Sequence, residues 1–351
     1  MDRSPDKPGD PGAMTTGERP MTIHGKFLAA ATAMIVATPS LAEEARLSAV
    51  YSLPATNDLM QSYFAFVDDV NANGAGILQI DLRGGTEALP RNEQMNAVSR
   101  GIIDLYFGPA GYYQRQIPEL TPLDAASVPA DKLRAAGLHD AIDAGTRERA
   151  GVAFLGAMGT GYNFQFYTIT EPKIDDDGTM DMTDLKIRGG ASYDPMYQAL
   201  GIARVDVPAG DIYTALERGL VEGIGFTTIG VSSAGWQDFL KYRIFPTWRQ
   251  GNTIVAANAA KFDGLTDEQR SYLMEMIEKH EMLAYDAAKA LEAENTEVLA
   301  EAGVQDVVLT GAGEAEITAA FQDTFWVNVA SNLGEEEAAK YRAIVDKANG
   351  S

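Results

Sequence analysis

Residues 185–190 (LKIRGG), 197–201 (YQALG) and 205–223 (VDVPAGDIYTALERGLVEG) carry the reading that decides the fold. Leu185 to Arg188 is a short apolar strand pattern closed by two glycines, and 194–200 follows at helical spacing. Residues 202–207 are again strand-like, 211–218 helical, and 221–226 strand-like. Alternation of this kind calls for parallel or mixed sheets covered by helices.

Working outward, the same rhythm holds on both sides. Upstream, 47–51 reads as a strand; Leu59, Tyr63, Phe66, Val67 and Val70 recur at helical spacing; 77–82 is a strand ending at Gly84 and Gly85. A helix at 92–100, a strand at 102–107, a helix at 131–150 interrupted at Gly137 and a strand at 152–156 follow. Downstream, 164–169 and 253–257 read as strands and 236–242 as a helix. One element stands out by length: 266–301 contains no proline or glycine, Thr266 and Gln269 form a capping box, and Gly303 supplies the stop. Such a helix is about 54 Å long, more than one lobe of this size is wide, so it is expected to run across two lobes.

Length and composition agree with two lobes. The 351 residues are 46% hydrophobic, enough for one large or two medium cores. The net charge of −22 is spread along the chain, which argues against nucleic acid as a partner. It also means that any small anion must be held by local, desolvated cations at short range. There is no cysteine, so neither disulfides nor a thiolate metal site arise.

The N-terminus reads as an export signal. From Met21 a short polar start with His24 and Lys26 precedes an apolar run at 27–37 and then Ser40, Leu41 and Ala42, with cleavage expected after Ala42. The run is too short for a permanent membrane helix of about 20 residues. Residues 1–20 read as disordered or as a misassigned start, and the four acids and four bases before Glu43 cancel, so the mature chain keeps its negative charge.

The three quoted stretches, with 235–242 (GWQDFLKY), 101–105 (GIIDL) and Tyr113 followed by Pro118, closely resemble the solute-binding subunits of tripartite ATP-independent periplasmic (TRAP) transporters, the DctP-like family. The resemblance extends from Leu47 to about Tyr341. It implies an α/β type II periplasmic-binding-protein architecture: two α/β lobes, hinge strands, a long helix spanning both, and a small organic acid buried between them for delivery to integral membrane permease subunits. The lobes are expected at 43–163 plus 254–290 and at 164–253 plus 291–345, the mature protein in the periplasm and not itself embedded in the membrane. Arg188 matches the family's carboxylate-gripping arginine. The residue itself agrees: it ends an apolar strand, two glycines beside it let a ligand approach closely, and a guanidinium matches a carboxylate with two parallel hydrogen bonds.

Two departures from the family pattern shape the expected ligand. Gly225 and Phe226 stand where many members carry an acid followed by Asn or Trp, so no bridging metal is expected. The second arginine that some members place early in lobe two is missing from 161–166 (GYNFQF). A monocarboxylate with an apolar or aromatic remainder follows. Phe226, Tyr162, Phe164, Trp236, Trp248 and Tyr112 are the candidate apolar wall, and Asn163 and Asn252 candidate polar contacts at the hinge.

Other signals are weaker. Gly156, Gly159 and Gly161 have the wrong order for a dinucleotide fingerprint, and 175–178 (DDDG) lacks the ligands of a calcium loop, so both read as turns. His139 and His280 lie on helices without metal-like or triad-like neighbours. No catalytic residue, cofactor or metal is therefore assigned. The alternatives are a periplasmic ligand-sensing protein and a periplasmic enzyme acting on a carboxylate.

Overall fold

The computed structural model describes residues 43–350, and the expected export signal and the segment expected before it lie outside them. The chain runs β1 (Ala45–Tyr51), α1 (Asp58–Asn73), β2 (Leu78–Gly84), α2 (Arg91–Ser99), β3 (Leu105–Pro109), α3 (Ala130–Ala136), α4 (Leu138–Ala150) and β4 (Val152–Gly156). It continues through β5 (Asn163–Thr168), β6 (Lys186–Arg188), α5 (Asp194–Ala199), β7 (Ala203–Val205), α6 (Ile212–Glu217), β8 (Gly223–Thr227) and β9 (Tyr242–Gln250). It then returns with β10 (Thr253–Asn258), α7 (Ala259–Asp263), α8 (Asp267–Glu301), β11 (Gln305–Val308), α9 (Ala312–Leu333) and α10 (Glu335–Asn349).

Two mixed sheets result. The first has the order β2-β1-β3-β10-β4, the second β11-β9-β5-β8-β6-β7. In the first, β1 pairs parallel with β2 and β3, and β10 runs antiparallel between β3 and β4. In the second, β5 is antiparallel to both β8 and β9, while β6 is parallel to β7 and β8. Each sheet with its helices is one lobe of the type II periplasmic-binding-protein fold.

Local chemistry explains most elements. Asn57 caps α1 by accepting from the Leu59 amide, and Met60, Tyr63, Phe66, Val67 and Val70 fall on its buried stripe. Tyr63 stacks on Phe107 of the central strand β3 at 3.9 Å between centroids. The helix expected over 131–150 is two helices, because Gly137 adopts a left-handed φ of 95° that ends one and starts the next. α8 forms at its expected length behind the Thr266–Gln269 capping box. Its Leu273, Met276, Ile277 and Ala284 join the core of lobe 1, and Ala288 and Leu299 join two clusters of lobe 2. Asn295 fixes the far end, donating to the Thr228 carbonyl at 2.8 Å and accepting from the Ser232 amide at 3.0 Å.

Three expectations need correction. Residues 236–242 form only a single 3₁₀ turn at Trp236–Asp238, and the chain goes directly into the nine-residue strand β9. Pro246 masks that strand in sequence; it is tolerated because neither neighbouring strand pairs with it, β11 registering with 242–245 and β5 skipping from Ile244 to Arg249. The strand expected from Ile102 begins at Leu105, and Ile102 is 69% exposed. Residues 335–345, expected in lobe 2, pack on lobe 1: Tyr341 and Val345 of α10 join its second cluster, and the Tyr341 hydroxyl donates to the Ala141 carbonyl at 3.0 Å.

The sheets are connected by two segments, 157–162 and 250–252, bonded to each other through Gly159 N–H to Thr253 O (3.2 Å) and Gly251 N–H to Tyr162 O (2.8 Å). There is no room between them. A Cβ at Gly251 would lie 1.8 Å from the Tyr162 ring, and one at Gly159 would lie 1.9 Å from Thr253 Oγ1. Gly251→Ala is therefore expected to push Tyr162 out of its packing and lower stability by about 1–3 kcal/mol, read as a fall in melting temperature. An unchanged melting temperature would show that the crossing is slack.

Candidate functional site

The carboxyl ends of β1, β3, β6 and β8 converge on one crevice between the sheets, the location where open α/β sheets bind ligands. A cavity of about 150 Å³ sits there, walled by both lobes and by Tyr162 and Asn252 of the crossing segments. Arg188 ends β6 and is 5% exposed. Its Nε donates to the Val207 carbonyl at 3.0 Å, and its guanidinium lies 5.5 Å above the Phe226 ring. Among the described residues no carboxylate pairs with it, so the Nη edge of the fork remains for the cavity.

A glycine on the neighbouring strand β8 makes room beside Arg188. A Cβ at Gly225 would stand 2.1 Å from the Tyr197 hydroxyl, which donates to the Arg188 carbonyl at 3.1 Å. Gly225 thus admits the tyrosine that steadies the Arg188 backbone. Phe226 beside it lies beneath the guanidinium, so both departures from the family pattern serve the arginine.

A second guanidinium closes another wall. Arg249 of β9 stands opposite Phe164 in the ladder and pairs with Asp124, both side chains being nearly inaccessible. Phe164, Tyr193 and Trp248 surround its planar group at 4.3, 4.9 and 5.4 Å. Asp124 also accepts from Gln114 Nε2 at 2.9 Å and Asn252 Nδ2 at 2.8 Å. This acid, from the 3₁₀ segment Pro118–Ala125 of lobe 1, is thereby joined to lobe 2 and to the crossing segment.

A third guanidinium, Arg91 at the start of α2, is half-buried and stacks 4.4 Å from the Tyr112 ring. The acids in the wall are Asp124, tied to Arg249, and Asp206, tied to Arg204 at 3.6 Å. The cavity of this very acidic protein is thus locally cationic. Burial raises the Tyr162 and Tyr193 phenols above their ordinary value, more than nearby Arg249 lowers them. Both stay neutral near pH 7.

Of the residues expected from sequence, Arg188, Tyr162, Phe164, Phe226, Tyr112 and Asn252 all line this cavity. Three do not. Trp236 packs edge-on behind Phe226 at 4.7 Å, and Trp248 supports Phe164 and Tyr193 from the core side. Asn163 opens β5, where its backbone pairs with Gln250 and its N–H bonds Thr228 Oγ1. Arg91, Arg249, Asp124 and Tyr193 were not foreseen. The arginine missing from 161–166 has a counterpart of different origin in the cavity wall, Arg249, whose charge Asp124 neutralises. Recognising β9 as a strand would have found it, because alternation sets Arg249 apart from Trp248 and Gln250.

Two lobes closing on a cavity with unpaired cations define a solute-binding protein. Residues 50–328 match the family described as bacterial extracellular solute-binding protein, family 7 (DctP), and the chain belongs to that family. A solute-binding protein of Albidiferax ferrireducens is 22% identical over 257 residues, 70% of this chain and 73% of that one. Among solved structures, DctP7 of Bordetella pertussis, an extracytoplasmic solute receptor binding pyroglutamic acid, is 19% identical with a TM-score of 0.74, covering 86% of this chain and 99% of that one. A TRAP periplasmic solute-binding protein of Desulfovibrio salexigens with bound orotic acid is 16% identical with a TM-score of 0.73, covering 86% and 99%.

Proposed function

We propose that this protein is the extracytoplasmic receptor of a TRAP transporter, exported by its N-terminal signal to the periplasm. It binds a small organic carboxylate between its lobes and delivers it to the membrane permease subunits without chemically altering it. The observation that carries this reading is Arg188: a buried guanidinium oriented by Val207 O and Phe226, with no acidic partner among the described residues. The ligand carboxylate docks on its Nη edge, Arg91 faces the same space from lobe 1, and Tyr112, Phe164 and Phe226 provide apolar contact.

Size limits the remainder of the ligand. A cavity of about 150 Å³ is known to hold a molecule the size of benzene, so this one suits on the order of six to ten non-hydrogen atoms. Lobe closure then expels water and strengthens the charge pairing in the drier cleft. The relatives that bind pyroglutamic and orotic acids take ligands of that scale.

Thermal-shift screening of the chain from Glu43 against small aliphatic, cyclic and aromatic acids tests the proposal. A ligand at a thousandfold excess over its Kd adds about 4.1 kcal/mol to stability, a large rise in melting temperature. Stabilisation by neutral sugars or amines but by no carboxylate would refute it.

A further inference from the structure

The wall across from Arg188 has its own chemistry, and it limits what the rest of the ligand can be. Asn252 is 7% exposed and lines the cavity. Its Nδ2 donates to Asp124 Oδ1, and a carboxylate can only accept, so the amide orientation is fixed by its partner. That leaves Oδ1 as a buried acceptor without a hydrogen-bond partner among the described residues. Beside it, Arg249 has spent Nη1 on Asp124, and its Nη2, close to Gly111 of the cavity wall, has no hydrogen-bond partner among the described residues. Both residues line the cavity, so one acceptor and one donor without partners among the described residues belong to the same wall.

The charge state of this wall matters equally. Asp124 neutralises Arg249 and already accepts from Gln114, Arg249 and Asn252, three of its roughly four acceptor positions, so it offers little to a ligand ammonium group. A second ligand carboxylate placed there would meet the Asp124 charge instead of a free cation. An uncharged group that both donates and accepts satisfies Asn252 Oδ1 and Arg249 Nη2 together. A purely apolar group leaves both unmet, which costs most in a buried site.

We propose that Asn252, held in orientation by Asp124 and flanked by Arg249, is the specificity residue of the cavity, and that the ligand is a monocarboxylate carrying an uncharged N–H or O–H group, a lactam or hydroxyl, at its far end. This rests on the receptor reading above and narrows it. At this wall a second carboxylate is disfavoured by the Asp124 charge, a ligand ammonium meets an acid already paired with Arg249, and plain aliphatic or aromatic acids leave the acceptor unmet.

Isothermal titration with matched acids tests this. Pyroglutamate is compared with cyclopentanecarboxylate, 4-hydroxybutyrate with butyrate, and succinate serves as the dicarboxylate. In at least one pair the polar member is expected to bind about 100-fold tighter or more, because a site built to hydrogen-bond a polar group rejects the analogue lacking it. In Asn252→Leu that ratio falls toward one, while Asn252→Ser, which keeps an acceptor, retains part of it. If Asn252→Leu does not fold, the ratios in the unsubstituted protein still decide. Arg188-dependent binding in which apolar members equal their polar partners, or succinate is tightest, overturns this proposal and leaves the receptor reading intact. Failure of every acid to bind, or binding indifferent to Arg188→Ala, overturns both.

Discussion

Arg188→Ala is expected to remove useful carboxylate binding while leaving the unliganded fold nearly as stable as before. The guanidinium is buried, held by one hydrogen bond to Val207 O and by the Phe226 face. It makes no ion pair with another residue among those described, so its removal strands no partner charge in the protein. The fold loses one hydrogen bond and some packing, about 1 kcal/mol. Binding loses one half of a desolvated charge pair, about 3–5 kcal/mol, which is roughly 150-fold to several thousand-fold in Kd. Arg188→Lys keeps the charge without the two-pronged geometry and is expected to recover only part of the affinity. Titration calorimetry reads the Kd, and melting of the free protein separates loss of site from loss of fold. An unchanged Kd in Arg188→Ala would remove this residue from the site.

Glu281→Gln is expected to give the largest stability loss. Glu281 projects from α8 into lobe 1 with its side chain 2% exposed. Arg134 Nη2 donates to its two oxygens at 2.9 and 2.8 Å, the Ala157 amide donates at 2.8 Å, and His139 Nε2 lies 3.2 Å away. Gly156 makes the fit possible, because a Cβ there would be 2.4 Å from Glu281 Oε1. His139, without an evident partner in sequence, thus has a structural role here. Glutamine keeps the shape but leaves the Arg134 guanidinium facing a neutral amide, at a cost of about 3–5 kcal/mol.

Its pH dependence has a definite sign. Burial raises the Glu281 carboxyl, but the hydrogen bond and charge of His139, with those of Arg134, outweigh burial and hold it below its ordinary value. A depressed folded-state value means that the stabilisation is present above the unfolded value of about 4.3 and is lost as pH falls through the folded one. The unsubstituted protein should therefore lose stability below about pH 4, and its advantage over Glu281→Gln should narrow there. Thermal melts of both proteins from neutral pH to acid check this; a constant gap would contradict the assignment. Because Ala157 opens the first crossing segment, the substitution is also expected to weaken ligand binding.

The residues legible in advance share a common feature: their signal is local. The α1 stripe, the Thr266–Gln269 cap, the Gly137 break and the strand-end Arg188 with its glycines are all written within a few neighbours. Trp236 and Trp248 misled because composition alone does not separate the ring that lines a cavity from the ring behind it. Arg249 and Asp124 stayed hidden because 125 residues separate them and nothing near either one announces the other.

Alternation of strand and helix and an unbroken 35-residue helix by themselves determined two α/β lobes, and the Arg188 motif marked the candidate carboxylate grip. Hydrogen bonding within segments and hydrophobic periodicity act over a few residues, so a linear chain records them. Only the tertiary structure decided which side chains surround the cavity, that Asp124 neutralises Arg249, and that Asn252 is left with an open acceptor among the described residues. Those outcomes depend on groups brought together by sheet pairing across lobes, and charge and desolvation act on distance in space, not on distance along the sequence.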